Sequence, residues 1–268
     1  MTYPIAADLD GDGDLESIEG EGNLTRVIAA GVPIWEHRGP IDGWNRSDDD
    51  QFRAVADVDG DGTPEILVED PNDGWTGLWK WQGGAFHAPW MAQTPIDGWI
   101  RHPSDVFYPA DVHGDGRQEL VIFNNADRWT GMFEWLNGAL RISWKSPSPI
   151  DGFNRGPYDR VAITDIDEDG KQEVIIVASN DGWAGVFKWQ NGGLHVFWAS
   201  ASPIGGPVGE CDLRGTMTVE PKIAAGHKAI ETTRLEGPTD EPWTERCVLT
   251  WNGAGLELIG KQILPLLG

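Results

Sequence analysis

Residues 40–46 read Pro-Ile-Asp-Gly-Trp-Asn-Arg, and this segment organises the whole chain. Closely similar segments begin at Pro95 and Pro149, and a shortened copy, Pro-Ile-Gly-Gly, begins at Pro203. Successive copies are 54 or 55 residues apart. An aromatic segment, an acidic loop and a single tryptophan recur with the same period, the last at Trp35, Trp90, Trp144 and Trp198. Self-similarity at a fixed period of this length indicates a repeat architecture.

Between these features the sequence has the pattern of short β-strands. Residues 65–68 and 173–177 are apolar, β-branched runs bounded by turn residues. In residues 75–81, aromatic residues and one glycine occupy alternate positions, so a strand places them on one face. No segment has a convincing helical period. Each repeat therefore reads as about four strands, which is typical of a β-propeller blade.

The fold class predicted is all-β, a β-propeller of about five four-stranded blades. We expect one domain over residues 1–268, because a chain of 268 residues contains about five repeats of this length. The last blade is divergent, since its acidic loop is lost. The approximate blade boundaries are 4–48, 49–103, 104–157, 158–206 and 207–268.

The composition restricts the function classes. The chain has 43 Asp and Glu against 20 Lys and Arg, a formal charge of −23. Such a protein repels phosphate backbones and anionic membrane surfaces, so nucleic acid and membrane insertion are not expected. No apolar run approaches the roughly 18–20 residues of a spanning helix. With 40% hydrophobic residues the chain can still form a packed core.

The recurring acidic loops have the spacing of a metal site. The pattern D-x-D-x-D-G-x-x-E begins at Asp8, Asp57 and Asp165. Carboxylates at alternate positions can surround one hard cation, the glycine permits a sharp turn, position seven offers its carbonyl and the last glutamate closes the shell. Oxygen donors without Cys favour Ca²⁺. The candidate ligands are Asp8, Asp10, Asp12, Asp14 and Glu16; Asp57, Asp59, Asp61, Thr63 and Glu65; and Asp165, Asp167, Asp169, Lys171 and Glu173.

The third loop departs from this pattern and is expected to bind more weakly. His113 replaces the second carboxylate and Arg117 adds positive charge between Asp111, Asp115 and Glu119. An EF-hand is excluded because position twelve of the second loop is Val68, inside a strand pattern. A solvated acidic turn without metal stays open as an alternative. Three to four Ca²⁺ ions are predicted in total.

Acidic loops of this pattern between short strands resemble the FG-GAP/VCBS repeats of integrin α-subunit-type β-propellers. The resemblance covers about residues 5–206, the first four units. It implies a calcium-stabilised propeller, commonly extracellular, that serves in adhesion and ligand binding. Some fungal and bacterial members are lectins with pockets between blades. The family is usually seven-bladed, whereas this chain has about five repeats.

The repeated aromatic residues divide into two groups. Those of the third strand pattern (Trp79 and Trp81, Phe133 and Trp135, Phe187 and Trp189) and the four single tryptophans are expected to pack between blades. The Asp-Gly-Trp turns instead combine an aromatic face with polar groups, which is what a sugar site requires. Their candidate ligand-binding residues are Asp42, Trp44 and Arg46; Asp97, Trp99 and Arg101; and Asp151, Phe153 and Arg155.

Two other interpretations of these turns remain. In the first, each arginine forms a structural ion pair with the acid four residues later, as in Arg46–Asp50, Arg101–Asp105 and Arg155–Asp159. In the second, the exposed platforms are Trp75, Trp129 and Trp183.

Catalysis is not indicated, because the sequence has no recognisable nucleophile or metalloprotease motif. Most notable carboxylates are repeated, and repetition suits multivalent binding. The predicted function is a carbohydrate-binding, lectin-like or adhesive module for a glycan or an extracellular protein. The alternatives are a scaffold for protein interactions without glycan binding, and a polysaccharide lyase or glycosidase with its site after Pro203.

The two cysteines, Cys211 and Cys247, lie in the divergent C-terminal part. They are either buried free thiols or one disulfide, and the calcium hypothesis favours the disulfide because both belong to an oxidising compartment. Residues 1–8 have no basic or apolar stretch typical of a signal peptide. An extracellular or cell-surface location is expected on the calcium and disulfide arguments.

Overall fold

The computed structural model describes residues 2–178, 180–214, 218–236 and 243–265. The chain divides into two compact units. The first comprises residues 1–109, 116–126 and 130–145, and the second comprises residues 110–115, 127–129 and 146–268. The expectation of a single domain stays a prediction.

Within the described residues all regular structure is β, in five four-stranded sheets and one two-stranded sheet. The first sheet contains β1 (Thr2–Ala7), β2 (Glu16–Glu21), β3 (Leu24–Ala29) and β4 (Val32–Arg38). The second contains β5 (Gln51–Ala56), β6 (Glu65–Asp70), β7 (Trp75–Gln82) and β8 (Ala85–Gln93). The third contains β9 (Asp105–Ala110), β10 (Glu119–Asn124), β11 (Trp129–Leu136) and β12 (Ala139–Pro147).

The fourth sheet contains β13 (Arg160–Thr164), β14 (Glu173–Val177), β15 (Ala184–Gln190) and β16 (Gly193–Ser200). A small hairpin, β17 (Ile204–Gly206) and β18 (Gly209–Cys211), precedes the fifth sheet. That sheet contains β19 (Thr218–Ala224), β20 (His227–Glu236), β21 (Trp243–Trp251) and β22 (Leu256–Pro265). Every four-stranded sheet keeps the chain order of its strands, as propeller blades do.

Turn chemistry fixes the register of the outer hairpins. Asn137 and Gly138, between β11 and β12, have φ of 54° and 79°, and Asn191 and Gly192 have φ of 51° and 80°. Two successive residues with positive φ form the turn whose twist matches that of an antiparallel pair, and Asn-Gly adopts it readily. The repeat therefore carries its own hairpin signal.

The sheets are covered on both faces at their central strands. All six residues of β6 and of β10 are buried, and the apolar residues 66–68 and 120–123 form the middle of these strands. Trp79 is fully buried, and Phe133 and Phe187 are nearly so. Trp35 packs edge-on against Trp81 at 5.8 Å between ring centres, in agreement with the predicted packing of the aromatic repeats.

Candidate calcium loops and a solvent-facing aromatic cleft

The first acidic loop connects β1 and β2 and is built from its own carboxylates. Asp8 accepts hydrogen bonds from the backbone N–H of Gly11 and Gly13 at 2.8 and 3.1 Å, and both glycines have positive φ. Oxygens of Asp8, Asp10 and Glu16 all lie within 4.8 Å of one another. Among the described residues, no Lys or Arg pairs with any acid of this loop, including Asp12 and Asp14.

The second loop has the same shape but contains an ammonium group. Oxygens of Asp57, Asp59 and Asp61 lie within 4.8 Å of one another. Lys80, on β7, places Nζ 2.6 Å from Asp59 Oδ2, 2.8 Å from Asp61 Oδ2 and 2.7 Å from Glu65 Oε1.

These contacts change the ionisation of both partners. Burial by itself would lower the pKa of Lys80, but its hydrogen bonds to the three carboxylates outweigh that effect and raise the pKa. The same ammonium lowers the pKa of Asp61 to about 2, with help from the Thr63 hydroxyl, which donates to Asp61 at 2.6 Å. Burial raises the pKa of Glu65 in the same cluster, and its hydrogen bond from Lys80 acts in the opposite direction. One ammonium therefore offsets only part of the negative charge of the acids in this loop.

The fourth loop repeats this arrangement with Lys188, on β15. Its Nζ lies 2.5 Å from Asp167 Oδ2, 2.7 Å from Asp169 Oδ2 and 3.4 Å from Glu173 Oε1. Burial opposes the rise in the pKa of Lys188, and the hydrogen bonds to Asp167 and Asp169 overcome it. Asp165 completes the carboxylate group, and Lys171 donates its backbone N–H to Asp169 at 3.0 Å.

In the third loop, Asp111 Oδ1 accepts the N–H groups of Gly114 and Asp115 at 2.6 and 3.1 Å. The ring of His113 lies edge-on to Trp189, with centroids 5.2 Å apart. The aliphatic part of Arg117 covers Gly60 in the second loop so closely that a β-carbon there would lie 2.5 Å from its Cγ. Glu119 is buried at the start of β10.

Glutamine side chains link successive acidic loops, which the sequence patterns did not predict. Gln118 accepts the backbone N–H of Asp57 on its side-chain Oε1 at 3.0 Å. Its backbone N–H donates to the Asp57 carbonyl at 2.8 Å. Gln172 makes the same pair of bonds with Asp111, both at 2.8 Å. The signal was a glutamine at position eight of two loops.

These geometries separate the loops in their fit to calcium. The first loop offers an uncompensated carboxylate group, which suits a divalent ion. In the second and fourth loops an ammonium already contacts three of the candidate ligand carboxylates. The number of bound ions stays a prediction.

The prediction that the Asp-Gly-Trp turns present their aromatic rings to a ligand is wrong. Trp44, Trp99 and Phe153 are 3%, 5% and 7% exposed. Trp44 packs edge-on against Trp79 at 6.3 Å, and Phe153 against Phe187 at 5.2 Å. The rings fit against glycines in the third strand of the following sheet, so they belong to the core.

The arginines of these turns are structural as well, as the alternative interpretation predicted for Arg46. It is buried against Asp50 and donates from Nε to Thr25 at 3.0 Å. Arg101 pairs with Glu69 at 3.2 Å instead of the predicted Asp105. Arg155 is 2% exposed and donates to the Trp129 carbonyl at 3.0 Å. Each of these guanidinium groups is buried and contacts the protein, so it is not presented at the surface to a ligand.

The three turn aspartates remain at the surface and hold the outer strand of the following sheet. Asp42, Asp97 and Asp151 have φ of 48°, 48° and 47°. Their carboxylates accept backbone N–H groups on β8, β12 and β16 at 3.2, 3.3 and 3.1 Å. They also contact the side chains of His87, Arg141 and His195 at 3.0, 3.2 and 2.9 Å.

One turn borders an open cleft of about 430 Å³ in the second unit. Its lining includes Asp151, Asn154, Asp181, Trp183 and Val196, with Phe153 in the wall. Trp183 is 44% exposed. The cleft thus joins a predicted ligand residue, Asp151, with an aromatic platform that was only an alternative.

Cys211 and Cys247 form a disulfide, and both are 1% exposed. The bond connects β18 with β21 in the divergent C-terminal part, whose sequence lacks the acidic loop pattern of the four preceding repeats. Nearby Glu245 is buried between Arg234 and Lys261, each at 2.5 Å. The described residues contain no helix that is long and apolar enough to cross a membrane.

Comparison with known proteins supports the fold. A family model described as an FG-GAP-like repeat matches residues 57–122, from the second acidic loop to β10. No curated protein matches the chain's sequence. The similar solved structures include two with TM-scores above 0.5. They are a candidate 6-phosphogluconolactonase from Bacteroides fragilis (12% identity, 97% of this chain, 70% of that chain, TM-score 0.52) and BBS1N in complex with ARL6DN (11%, 98%, 66%, 0.51).

The exotype rhamnogalacturonan lyase YesX is also similar, at 15% identity and a TM-score of 0.47, over 97% of this chain and 65% of that one. The chain spans less than two thirds of the length of the rhamnogalacturonan lyases that it matches. At these identities the likeness concerns the fold alone. The chain is a β-propeller protein of four-stranded sheets that carries an FG-GAP-like repeat at residues 57–122.

Proposed function

We propose that the protein is a calcium-stabilised binding module whose ligand is a carbohydrate held in the cleft beside Trp183. The observation that carries this proposal is the half-exposed indole next to convergent polar groups, Asp151, Asn154 and Asp181. An aromatic face packs against the C–H side of a sugar ring, and carboxylate and amide groups bind its hydroxyls. No catalytic role is proposed for these residues.

The charge of the cleft favours a class of sugar. Two carboxylates line it, and Trp183 donates its backbone N–H to Asp181 at 3.2 Å, which fixes the acid beside the indole. The two carboxylates would repel the negative charge of a uronic or sialic acid bound in the cleft. Neutral and amino sugars are therefore the proposed ligands.

Calcium in this proposal supports the fold. The first loop holds the uncompensated acids Asp8, Asp10 and Glu16, and a bound divalent ion would remove their mutual repulsion. An extracellular or cell-surface location, with a glycan or an extracellular protein as the partner, is part of the same proposal. The Cys211–Cys247 disulfide supports it, because such bonds persist in oxidising compartments.

The test is a glycan array with calcium present, followed by titration of each positive sugar. Trp183→Ala should abolish binding, whereas Ile223→Ala, which removes an exposed apolar side chain on β19, should leave it intact. Binding to no sugar, or equal binding by both variants, contradicts the proposed site. Release of sugar products from a polysaccharide would instead favour the lyase or glycosidase alternative.

A further inference from the structure

In the second and fourth acidic loops, unlike the first, a lysine from a neighbouring strand reaches the carboxylates. The side chains of Lys80 and Lys188 are 13% and 11% exposed, so they are largely enclosed by the groups that they contact. We infer that these two lysines are built-in counter-cations that replace calcium in their loops. The inference rests on the proposed function only in taking the first loop as the calcium site.

The contacts of Lys80 compete with a second cation in the loop. An ammonium group has three N–H donors, and Asp59, Asp61 and Glu65 receive them at 2.6, 2.8 and 2.7 Å. A calcium ion in this loop would be bound by the same carboxylates, at about 2.3–2.6 Å. The two cations would then lie within a few ångströms of each other and repel strongly.

The register of the sheet places Lys80 directly opposite Glu65, the last candidate ligand of the loop. Glu65 opens β6 and pairs directly with Lys80 on β7. Lys188 occupies the equivalent place in its repeat, between Phe187 and Trp189 as Lys80 lies between Trp79 and Trp81. A long side chain at this position extends along the sheet into the loop.

The other two repeats distribute charge differently. In the first sheet Ser17 pairs with Ile28, so the residue opposite Glu16 is Ala29, which cannot reach the loop. In the third repeat the lysine position is Glu134, and the basic residue is Arg117 within the loop itself. The first repeat is therefore the one of the four that has neither the cross-strand lysine nor a basic residue within its loop.

The experiment measures calcium bound per chain by equilibrium dialysis, with the melting temperature recorded alongside. Asp59→Asn/Asp61→Asn should bind as many ions as the wild type, because the lysine already occupies that loop. Lys80→Met should bind one ion more than the wild type, and Lys188→Met should do the same. Lys222→Met removes an exposed lysine that pairs with Glu231, and it should change nothing.

Two results would overturn the inference: loss of one ion in Asp59→Asn/Asp61→Asn, or no added ion in both lysine variants. If Lys80→Met folds only when calcium is present, the metal replaces the lost ammonium and the inference is supported. If Lys80→Met does not fold under either condition, the asparagine variant decides. Failure of the first loop is detected separately, as an unchanged ion count in Asp10→Asn/Asp12→Asn.

Discussion

The indole Nε1 of Trp44 donates a hydrogen bond of 2.9 Å to Oδ2 of Asp50, and both residues are buried. Trp99 and Asp105 repeat this contact at 3.1 Å. The next repeat has Phe153 in the indole position, so Asp159 receives no such bond. Burial raises the pKa of Asp159 to about 6, with its bond from the Gly156 N–H and the charge of Arg155 acting in the opposite direction.

We therefore expect Phe153→Trp to stabilise the protein. The new indole can donate to Asp159. In the preceding repeat Trp99 is already buried together with Phe133, and the tryptophan at position 153 would be buried together with Phe187 in the same way. A hydrogen bond to a charged acceptor contributes roughly 1.5–3 kcal/mol. Chemical denaturation at pH 7 measures the gain, and Trp99→Phe, the reverse change, should lower stability by a similar amount. A destabilised Phe153→Trp would contradict the prediction.

Gly131→Ala should destabilise the protein, because Gly131 packs against the ring of Trp99. A β-carbon at Gly131, in β11, would lie 2.6 Å from Cζ3 of Trp99. Forcing a methyl group into a packed core costs about 1–3 kcal/mol. In Gly260→Ala the new carbon would lie 3.4 Å from Val248, and we expect little change. Combining Gly131→Ala with Trp99→Leu should recover part of the loss, and strict additivity would argue against the clash.

Glu69 should make stability depend on pH. It lies 3.0 Å from Arg53 and 3.2 Å from Arg101, yet burial dominates and raises its pKa from 4.5 to about 7. Between these values the unfolded chain has lost the proton and the folded one keeps it, so stability falls as pH rises from 4.5 to 7. The decrease amounts to roughly 3 kcal/mol.

Denaturation of the wild type and Glu69→Gln across this range isolates that contribution. The stability difference between the two proteins should change by roughly 3 kcal/mol between pH 4.5 and pH 7. Glu21→Gln, at an exposed site near Arg26, should show a nearly constant difference. A constant difference for Glu69→Gln as well would mean that the two arginines keep Glu69 ionised throughout.

Removing the disulfide should destabilise the C-terminal part. Cys211 and Cys247 are 36 residues apart, and a cross-link that closes a loop of this length contributes about 2–4 kcal/mol. Cys211→Ala/Cys247→Ala should lower the free energy of unfolding by that amount and lower the unfolding midpoint with it, and reductant should have no further effect on this variant. Reductant should shift the wild type to the same midpoint. A wild type insensitive to reductant would argue against this contribution.

The repeats made the fold predictable. The 54- to 55-residue period, the alternating aromatics and the turn residues give the strand count per sheet. The repeat can be read directly from the sequence, and the strands that pair within a meander are neighbours in the sequence. The agreement is therefore good wherever the repeat is clear.

The site was less predictable because it depends on which face of a turn is covered. Trp44 has the residue type of both a sugar platform and a core ring, and burial alone decides. The useful signal was Gly77, Gly131 and Gly185, one near the start of the third strand in the second, third and fourth sheets, since a missing side chain there leaves space for a ring. The lysine that contacts the second loop was overlooked, because Lys80 on β7 is 21 residues away from Asp59 in the sequence.

The turn aspartates have a consequence for engineering the chain. Asp42 holds β8, Asp97 holds β12 and Asp151 holds β16, so each turn is tied to the sheet that follows it. A segment excised at the start of β5 would leave that tie behind. The exchangeable module therefore runs from one Pro-Ile-Asp-Gly turn to the next, as in residues 40–94, and a longer or shorter array is best assembled by joining copies at the proline.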